Sequence, residues 1–168
     1  DVRKFGFIKL FKNHNLCNNF HLNKLGPEPL GKFFTFNYFK KFITDRNRSI
    51  KDILMDQKFL SGLGNIYVNE ILFLSKVKPT RKAKKLQNFE IKKIIKFTKS
   101  VLKTSIKYGG SSIKDFSSSN GKKGSFHQHF NVYGKKKESC SNRNCKSKII
   151  KTVISNRATF YCPKCQKK

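Results

Sequence analysis

The chain has 168 residues and carries 38 Lys plus Arg against 9 Asp plus Glu, a formal net charge of +29. That length holds one domain, or one domain and a small module. The positive charge is spread along the whole chain and points to a polyanionic partner, with nucleic acid the first candidate. Compositional drift toward lysine accounts for part of the excess, yet a surface this basic attracts phosphate whatever its origin. The 17 Phe support a packed core. No apolar run approaches the roughly 18 residues that a membrane helix needs, and no signal-peptide pattern opens the chain. A cytoplasmic protein with reduced thiols and no membrane partner is expected.

Asp1–Phe11 reads as a strand, with Arg3 and Phe5 on one side of it. It has no obvious partner nearby, so the chain reads as cut from a longer one whose sheet lies upstream. Residues 12–30 are loop-like and close with Leu25-Gly-Pro-Glu-Pro-Leu30. The prolines suit a helix entrance, giving a first helix over Lys32–Phe42. The basic loop Asp45–Ser49 leads to a second helix, Ile50–Phe59, with Ile50, Ile53, Leu54 and Met55 on its buried side. Ser61-Gly-Leu-Gly64 breaks it, and Asn65 caps a third helix, Ile66–Leu74, ended by Lys78-Pro79. A fourth runs from Asn88 to Tyr108, with Ile91, Ile94, Ile95, Val101, Leu102 and Ile106 at helical spacing and Gly109-Gly110 as its stop. Residues 111–125 form a polar loop, and Phe126–Tyr133 reads as a strand on which His127 and His129 share a face.

Four of the five cysteines fall at the end, as Cys140-x4-Cys145 and Cys162-x2-Cys165 with sixteen residues between the pairs. Two close pairs of thiolates on facing strands supply a tetrahedral zinc site. Two disulfides are the alternative, disfavoured where thiols stay reduced. Between the pairs, Lys148–Ser155 and Ala158–Tyr161 read as two strands joined by a turn at Asn156-Arg157. One structural Zn2+ on Cys140, Cys145, Cys162 and Cys165 is therefore expected, stapling a β-hairpin. The four histidines are not needed as ligands, and Cys17 reads as a lone, partly buried thiol.

The turn Ser61-Gly-Leu-Gly-Asn65 lets backbone approach closely and aims helix N–H groups outward, a seat for phosphate. A plain tight turn between helices is the blander reading, but Arg46, Arg48 and Lys51 nearby favour the phosphate. Arg157 at the hairpin tip can bond a phosphate bidentately. Arg3 beside Phe5 pairs a planar cation with an aromatic, a combination that reads and wedges unstacked bases; a core Phe with a solvated Arg fits the spacing equally well. No Ser/His/Asp set, paired-carboxylate site or phosphate loop is present. From the residues alone the chain is a binding module without a complete catalytic centre.

Met55-Asp-Gln and Gly62-Leu-Gly-Asn-Ile-Tyr-Val-Asn-Glu-Ile-Leu-Phe73 resemble the helix–two-turn–helix signature of the bacterial formamidopyrimidine-DNA glycosylases. Asp1–Gly6, Leu25–Leu30, Gly109–Phe116, Val132-Tyr-Gly134 and Arg157–Gln166 resemble the same family in order and spacing, over essentially the whole chain. The sister endonuclease VIII group shares the architecture, but Val132-Tyr-Gly134 and Arg157-Ala-Thr-Phe-Tyr161 are closer to the formamidopyrimidine side. The resemblance implies a bifunctional glycosylase and AP lyase that removes oxidised purines such as 8-oxoguanine and formamidopyrimidines in base excision repair. It implies a flipped base and a Schiff base on an N-terminal proline amine. That proline belongs to an N-terminal β-sandwich that is not in this sequence, so these residues alone are expected to be inactive.

The implied fold is mainly α: a helix–two-turn–helix bundle followed by a β-hairpin zinc finger, with a leading strand left over from the missing β-sandwich. The expected division is 1–12 for that terminal strand and 13–110 for the DNA-binding bundle. Residues 111–131 would be the lesion loop and connecting strand, and 132–168 the zinc finger. By the same resemblance, Arg3 faces the estranged cytosine, Phe5 is the wedge, and Asn65 and Tyr133 contact phosphates. Arg157 clamps the lesion phosphates and is the proton donor in δ-elimination. Ser111 and Ser112 open the loop that closes on the extruded base. Asn47 stands where the family often carries a phosphate-binding lysine, with Arg46 and Arg48 flanking it. The implied partner is duplex DNA with oxidised purines or abasic sites, bound by a nucleoid-associated monomer. A non-enzymatic zinc-ribbon RNA- or ribosome-binding module is the rival, but it leaves the Gly62–Asn65 turn unexplained.

Overall fold

Side-chain caps decide where three of the four described α-helices begin. The structure is a computed structural model that describes residues 10, 19, 22–111 and 124–167. The expected strand over 1–11 lies outside the described residues except for Leu10, and so do Arg3, Phe5, His14, Cys17, His21 and Ser112. Helix α1 spans Phe36–Ile43, because Thr35 accepts the Tyr38 N–H at 3.2 Å and takes the N-cap. That start is later than the prolines suggested. Helix α2 spans Ile50–Met55, opened by Ser49, which accepts the Asp52 N–H at 3.1 Å. It ends well short of Phe59 because Asp56 turns extended and its carboxylate takes the Lys58 N–H.

Helix α3 spans Asn65–Leu74 with Gly64, not Asn65, at the N-cap, and it stops at Ser75, ahead of Pro79. Helix α4 spans Asn88–Lys107, as its periodicity predicts. Gln87 and Glu90 form a reciprocal capping box at its start. Gly109 and Gly110 follow at φ +69° and +85°, the left-handed geometry that ends helices.

The helices pack around Phe34, Phe39, Phe59, Leu72, Ile91 and Ile94, all 1% exposed or less. Phe59 is the hub: Phe39 meets it edge-on at 5.0 Å and Phe42 lies 4.6 Å away. Burying one such ring contributes roughly 1.5–3 kcal/mol, so the aromatic cluster in α1 is what fixes this helix on the bundle. A second, smaller core joins Phe73 of α3 to Val132, Ile149, Phe160 and the cysteines. Helix α3 thus feeds both cores and couples them.

The stretch expected as a strand over Phe126–Tyr133 is instead a 3-10 turn at Phe126–His129. Phe126 and Phe130, four residues apart, are both buried, a spacing that one strand face and one helical turn share, but their ring centroids lie only 5.6 Å apart, closer than four residues of extended strand place them. His129 does not share a strand face with His127; its ring lies 4.0 Å from that of Tyr108. The only sheet among the described residues is antiparallel, β1 (Ile150–Ile154) paired with β2 (Arg157–Tyr161). Its two-residue turn is Ser155-Asn156, both at positive φ (47° and 58°), the geometry that matches strand twist. Arg157 therefore opens β2 beside the turn and does not sit within it. The molecule is mainly helical, with a two-stranded sheet and a four-cysteine cluster. No described helix is long and apolar enough to cross a membrane.

Candidate functional site

Helix α3 and the hairpin are joined by polar groups that the apolar run Ile66–Leu74 would otherwise have no reason to contain. Asn65 Nδ2 donates to the Ala158 carbonyl at 2.9 Å, and Asn69 Oδ1 accepts the Phe160 N–H at 2.6 Å. Glu70 is 1% exposed. It accepts four N–H bonds, from the Asn131 backbone and side chain (2.7 and 3.0 Å), Val132 (3.0 Å) and Tyr133 (2.9 Å). A buried carboxylate is tolerable only when satisfied in this way. Gln166 completes the joint by accepting the Cys162 N–H and donating to the Val77 carbonyl.

Lys51, expected at a phosphate-facing surface, is 1% exposed. Its ammonium donates to Thr159 Oγ1 at 2.6 Å and more weakly to the Arg157 carbonyl at 3.4 Å. Burial lowers its pKa from 10.5 to about 8, with Asp52 opposing that shift and Arg157 adding to it. Lys51 therefore ties α2 to β2 beneath the hairpin tip. Sequence reasoning missed this joint. The signal was present in Asn69 and Glu70, two adjacent polar residues inside an apolar helix.

The four cysteine sulfurs lie within 4.8 Å of one another. Cys140 and Cys165 are 3.8 Å apart and Cys145 and Cys162 are 3.6 Å apart. Zn–S bonds of about 2.3 Å in a tetrahedron place sulfurs about 3.8 Å apart, whereas a disulfide needs about 2.05 Å. The thiols fit one structural zinc ion. Burial pushes the Cys140 thiol up to about 12. At Cys162 burial acts the same way but is outweighed by hydrogen bonds from Cys165, Cys140, Lys164 and Cys145, which draw it down to about 7. A dication removes that asymmetry by holding all four as thiolates. Asn142 Nδ2 donates to Cys165 Sγ at 3.4 Å, a bond that supports a thiolate there.

Above this joint the surface is open. Gly62 sits at φ +82° and needs to be glycine for its own backbone. Gly64 differs: its φ is −112°, which any residue adopts, and a Cβ there would meet nothing within 4 Å. Glycine is a favoured N-cap residue, and no packing contact among the described residues requires the missing side chain. Behind Gly64, α3 has no side-chain cap, and no described acceptor takes the Asn65, Ile66 or Tyr67 N–H. These groups carry the positive end of the helix dipole.

Arg157 is exposed and in no ion pair among the described residues. With Arg48, Lys51, Gln57 and Ser155 it lines an open cleft of about 630 Å³. Arg48 bonds Asp56 at 2.6 Å. Arg46 donates to the Phe42 carbonyl and stacks 4.0 Å over the Phe42 ring, and Asn47 is exposed between them. Ser111 bridges to Ser125 and donates to the Tyr67 hydroxyl at 3.3 Å. The Tyr133 ring packs against Phe130 and Phe160, at 5.7 and 5.1 Å. The fold therefore gathers Asn65, Lys51, Arg157 and Tyr133 at the joint between α3, α2 and the hairpin, while Ser111 sits apart from it against Tyr67 and Ser125.

A family description, the formamidopyrimidine-DNA glycosylase H2TH domain, matches residues 25–117. The chain belongs to this family. Among curated relatives of this H2TH chain, formamidopyrimidine-DNA glycosylase from Bacillus cereus is 45% identical over 166 residues, covering 99% of this chain and 59% of the relative. The Bacillus subtilis protein of the same name is 44% identical over 169 residues, covering 100% and 60%. A solved complex of Lactococcus lactis Fpg with abasic-site DNA matches at TM-score 0.91 and 36% identity, covering 100% of this chain and 61% of that one. MutM (Fpg) from Thermus thermophilus matches at TM-score 0.81 and 33% identity, covering 86% and 55%. This H2TH chain thus spans about three fifths of the length of the curated relatives it matches.

Proposed function

We propose that these residues are the DNA-binding part of a bifunctional DNA glycosylase and AP lyase that excises oxidised purines, 8-oxoguanine and formamidopyrimidines, in base excision repair. The observation that carries the reading is the pairing of an uncapped α3 N-terminus behind Gly64 with the exposed Arg157, both held on one joint. The two anion-seeking groups act on the backbone of one damaged duplex, and the zinc hairpin is the mount that keeps Arg157 in place. The relatives' names and the DNA complexes of the solved structures support the same partner.

In this reading the finer architecture is a helix–two-turn–helix bundle followed by a β-hairpin zinc finger, preceded by a strand from an N-terminal β-sandwich. The proposed division is 1–12, 13–110, 111–131 and 132–168. Asn65 contacts phosphate through its backbone, since its side-chain amide is bound to Ala158. Tyr133 and Asn47 are further phosphate contacts, flanked by Arg46 and Arg48. Lys51 acts from beneath by fixing β2. Arg3 and Phe5 fill the space left by the extruded base, and Ser111 and Ser112 open the loop that closes on it. Arg157 also supplies the proton for δ-elimination in the complete enzyme. The nucleophile is an N-terminal proline amine outside these 168 residues; the four prolines here, at 27, 29, 79 and 163, are internal. A monomer acting at the nucleoid in the cytoplasm follows from this role.

The test is a titration of an abasic-analogue duplex at several salt concentrations. Each phosphate neutralised contributes a slope near −0.9 in log K against log salt, so Arg157→Ala reduces the slope by about 1. The 168-residue chain binds the duplex and releases no 8-oxoguanine. An unchanged slope in Arg157→Ala, or preference for structured RNA over the abasic duplex, overturns the reading.

A further inference from the structure

At the far end of α3, about 15 Å along a ten-residue helix from Asn65, a second cleft of about 460 Å³ opens between the start of α4 and the cysteine knuckles. Lys76, Lys93, Lys164 and Lys167 are exposed around it and have no acidic partner among the described residues. The acid in the wall, Glu90, is already paired with Arg81 at 2.6 Å. Phe89 stands at the rim 53% exposed, with the Lys93 ammonium 5.4 Å from its ring centroid.

Two further features mark this cleft. Ser75 lines this cleft, and its hydroxyl is the one buried side-chain polar atom without a hydrogen-bond partner among the described residues. Lys76 sits at φ +60° as the left-handed residue of the α3 C-cap, its N–H on the Phe73 carbonyl and the Val77 N–H on the Leu72 carbonyl, a position where glycine is the low-cost choice. A lysine there accepts backbone strain and places a cation on the cleft wall. Cations without acids combined with an exposed aromatic face are the chemistry that holds a nucleobase and its phosphate.

We propose that this cleft is a second nucleic-acid subsite that takes an unpaired nucleoside phosphate, with its base on Phe89 and its phosphate among Lys76, Lys93, Lys164 and Lys167. It is separate from the duplex-facing joint at Gly64 and Arg157. A strand carrying an unpaired segment could therefore be held while the duplex site is filled.

The experiment uses the 168-residue chain saturated with an abasic-analogue duplex, into which a fluorescent ten-residue oligothymidylate is titrated. The oligomer binds the saturated protein, and Phe89→Ala weakens that binding at least about fivefold, in line with loss of one stacked base. Lys93→Glu with Lys167→Glu weakens it further. Duplex affinity and unfolding midpoint stay within error of the parent, which separates failure here from failure of the duplex reading. Displacement of the oligomer by millimolar dTMP would support free nucleotides as occupants, and retention would support a strand; either outcome favours the subsite. Binding that ignores Phe89→Ala leaves only general electrostatic attraction, and displacement of the oligomer by duplex means one shared site. Either result overturns the proposal.

Discussion

Replacing Glu70 by Ala removes the acceptor for four N–H bonds at once. The Val132 N–H is fully buried and has no other described acceptor, while those of Asn131 and Tyr133 are half-buried and can recruit water. An orphaned buried donor costs about 1–3 kcal/mol, and each charge-assisted bond lost about 1.5–3 kcal/mol gross before water compensates. Removing a whole buried, satisfied carboxylate from its donors falls near the 3–5 kcal/mol of a broken buried pair. We expect Glu70→Ala to lose about 3–5 kcal/mol in urea unfolding with zinc held in excess, and Glu70→Gln about half of that, because one amide oxygen still accepts. The loss should fall first on the joint, so tyrosine near-UV ellipticity from Tyr133 and Tyr161 should decline at lower urea than the helical signal. A loss below about 1 kcal/mol for Glu70→Ala would refute the claim that this carboxylate ties the two cores together.

Lys51 makes stability depend on pH in an unusual direction. Its pKa is lowered to about 8 in the folded chain against 10.5 when exposed, so its burial cost is fully present below pH 8 and is relieved as pH rises from 8 toward 10.5, where only the unfolded chain keeps the proton. Lys51→Met should therefore remove roughly 3 kcal/mol of the rise in unfolding free energy across that window; identical pH profiles for the two proteins would contradict the burial argument. Chelation should dissolve the smaller core, since structural zinc contributes on the order of 10–16 kcal/mol to folding around it. Far-UV helicity from the bundle should survive, because its described core residues include no cysteine, and duplex binding should weaken. Intact duplex affinity after complete zinc removal would show that the hairpin does not position Arg157.

Some of this was readable from residues and some was not, for definite reasons. Helix α4 was legible because Ile91, Ile94 and Val101 keep a helical period and Glu90 marks its first turn. The zinc site was legible from cysteine spacing alone, and the x4 gap of the first pair is absorbed by the turn at 141–144. Phe126–Phe130 misled because alternation and a single helical turn leave the same pattern in five residues. The contact of Phe126 with Phe130 and the turn bonds from the Gln128 and Phe130 N–H groups separate the two. Lys51 was illegible because a buried lysine looks like a surface lysine until Thr159, more than a hundred residues away, is placed beside it. Asn65 invited the capping role that Gly64 takes, since its amide is needed by Ala158.

Gly64 offers the most direct test of the phosphate seat. Its backbone suits alanine and a Cβ there meets nothing within 4 Å among the described residues. The poorer N-cap and the stiffer unfolded state offset each other to within about 1 kcal/mol. Folding should thus be nearly unchanged in Gly64→Ala, leaving affinity for the abasic duplex as the readout. The account predicts at least a tenfold loss, about 1.4 kcal/mol, at an unchanged unfolding midpoint; equal affinity for the two proteins would mean that no DNA backbone approaches α3 at this turn.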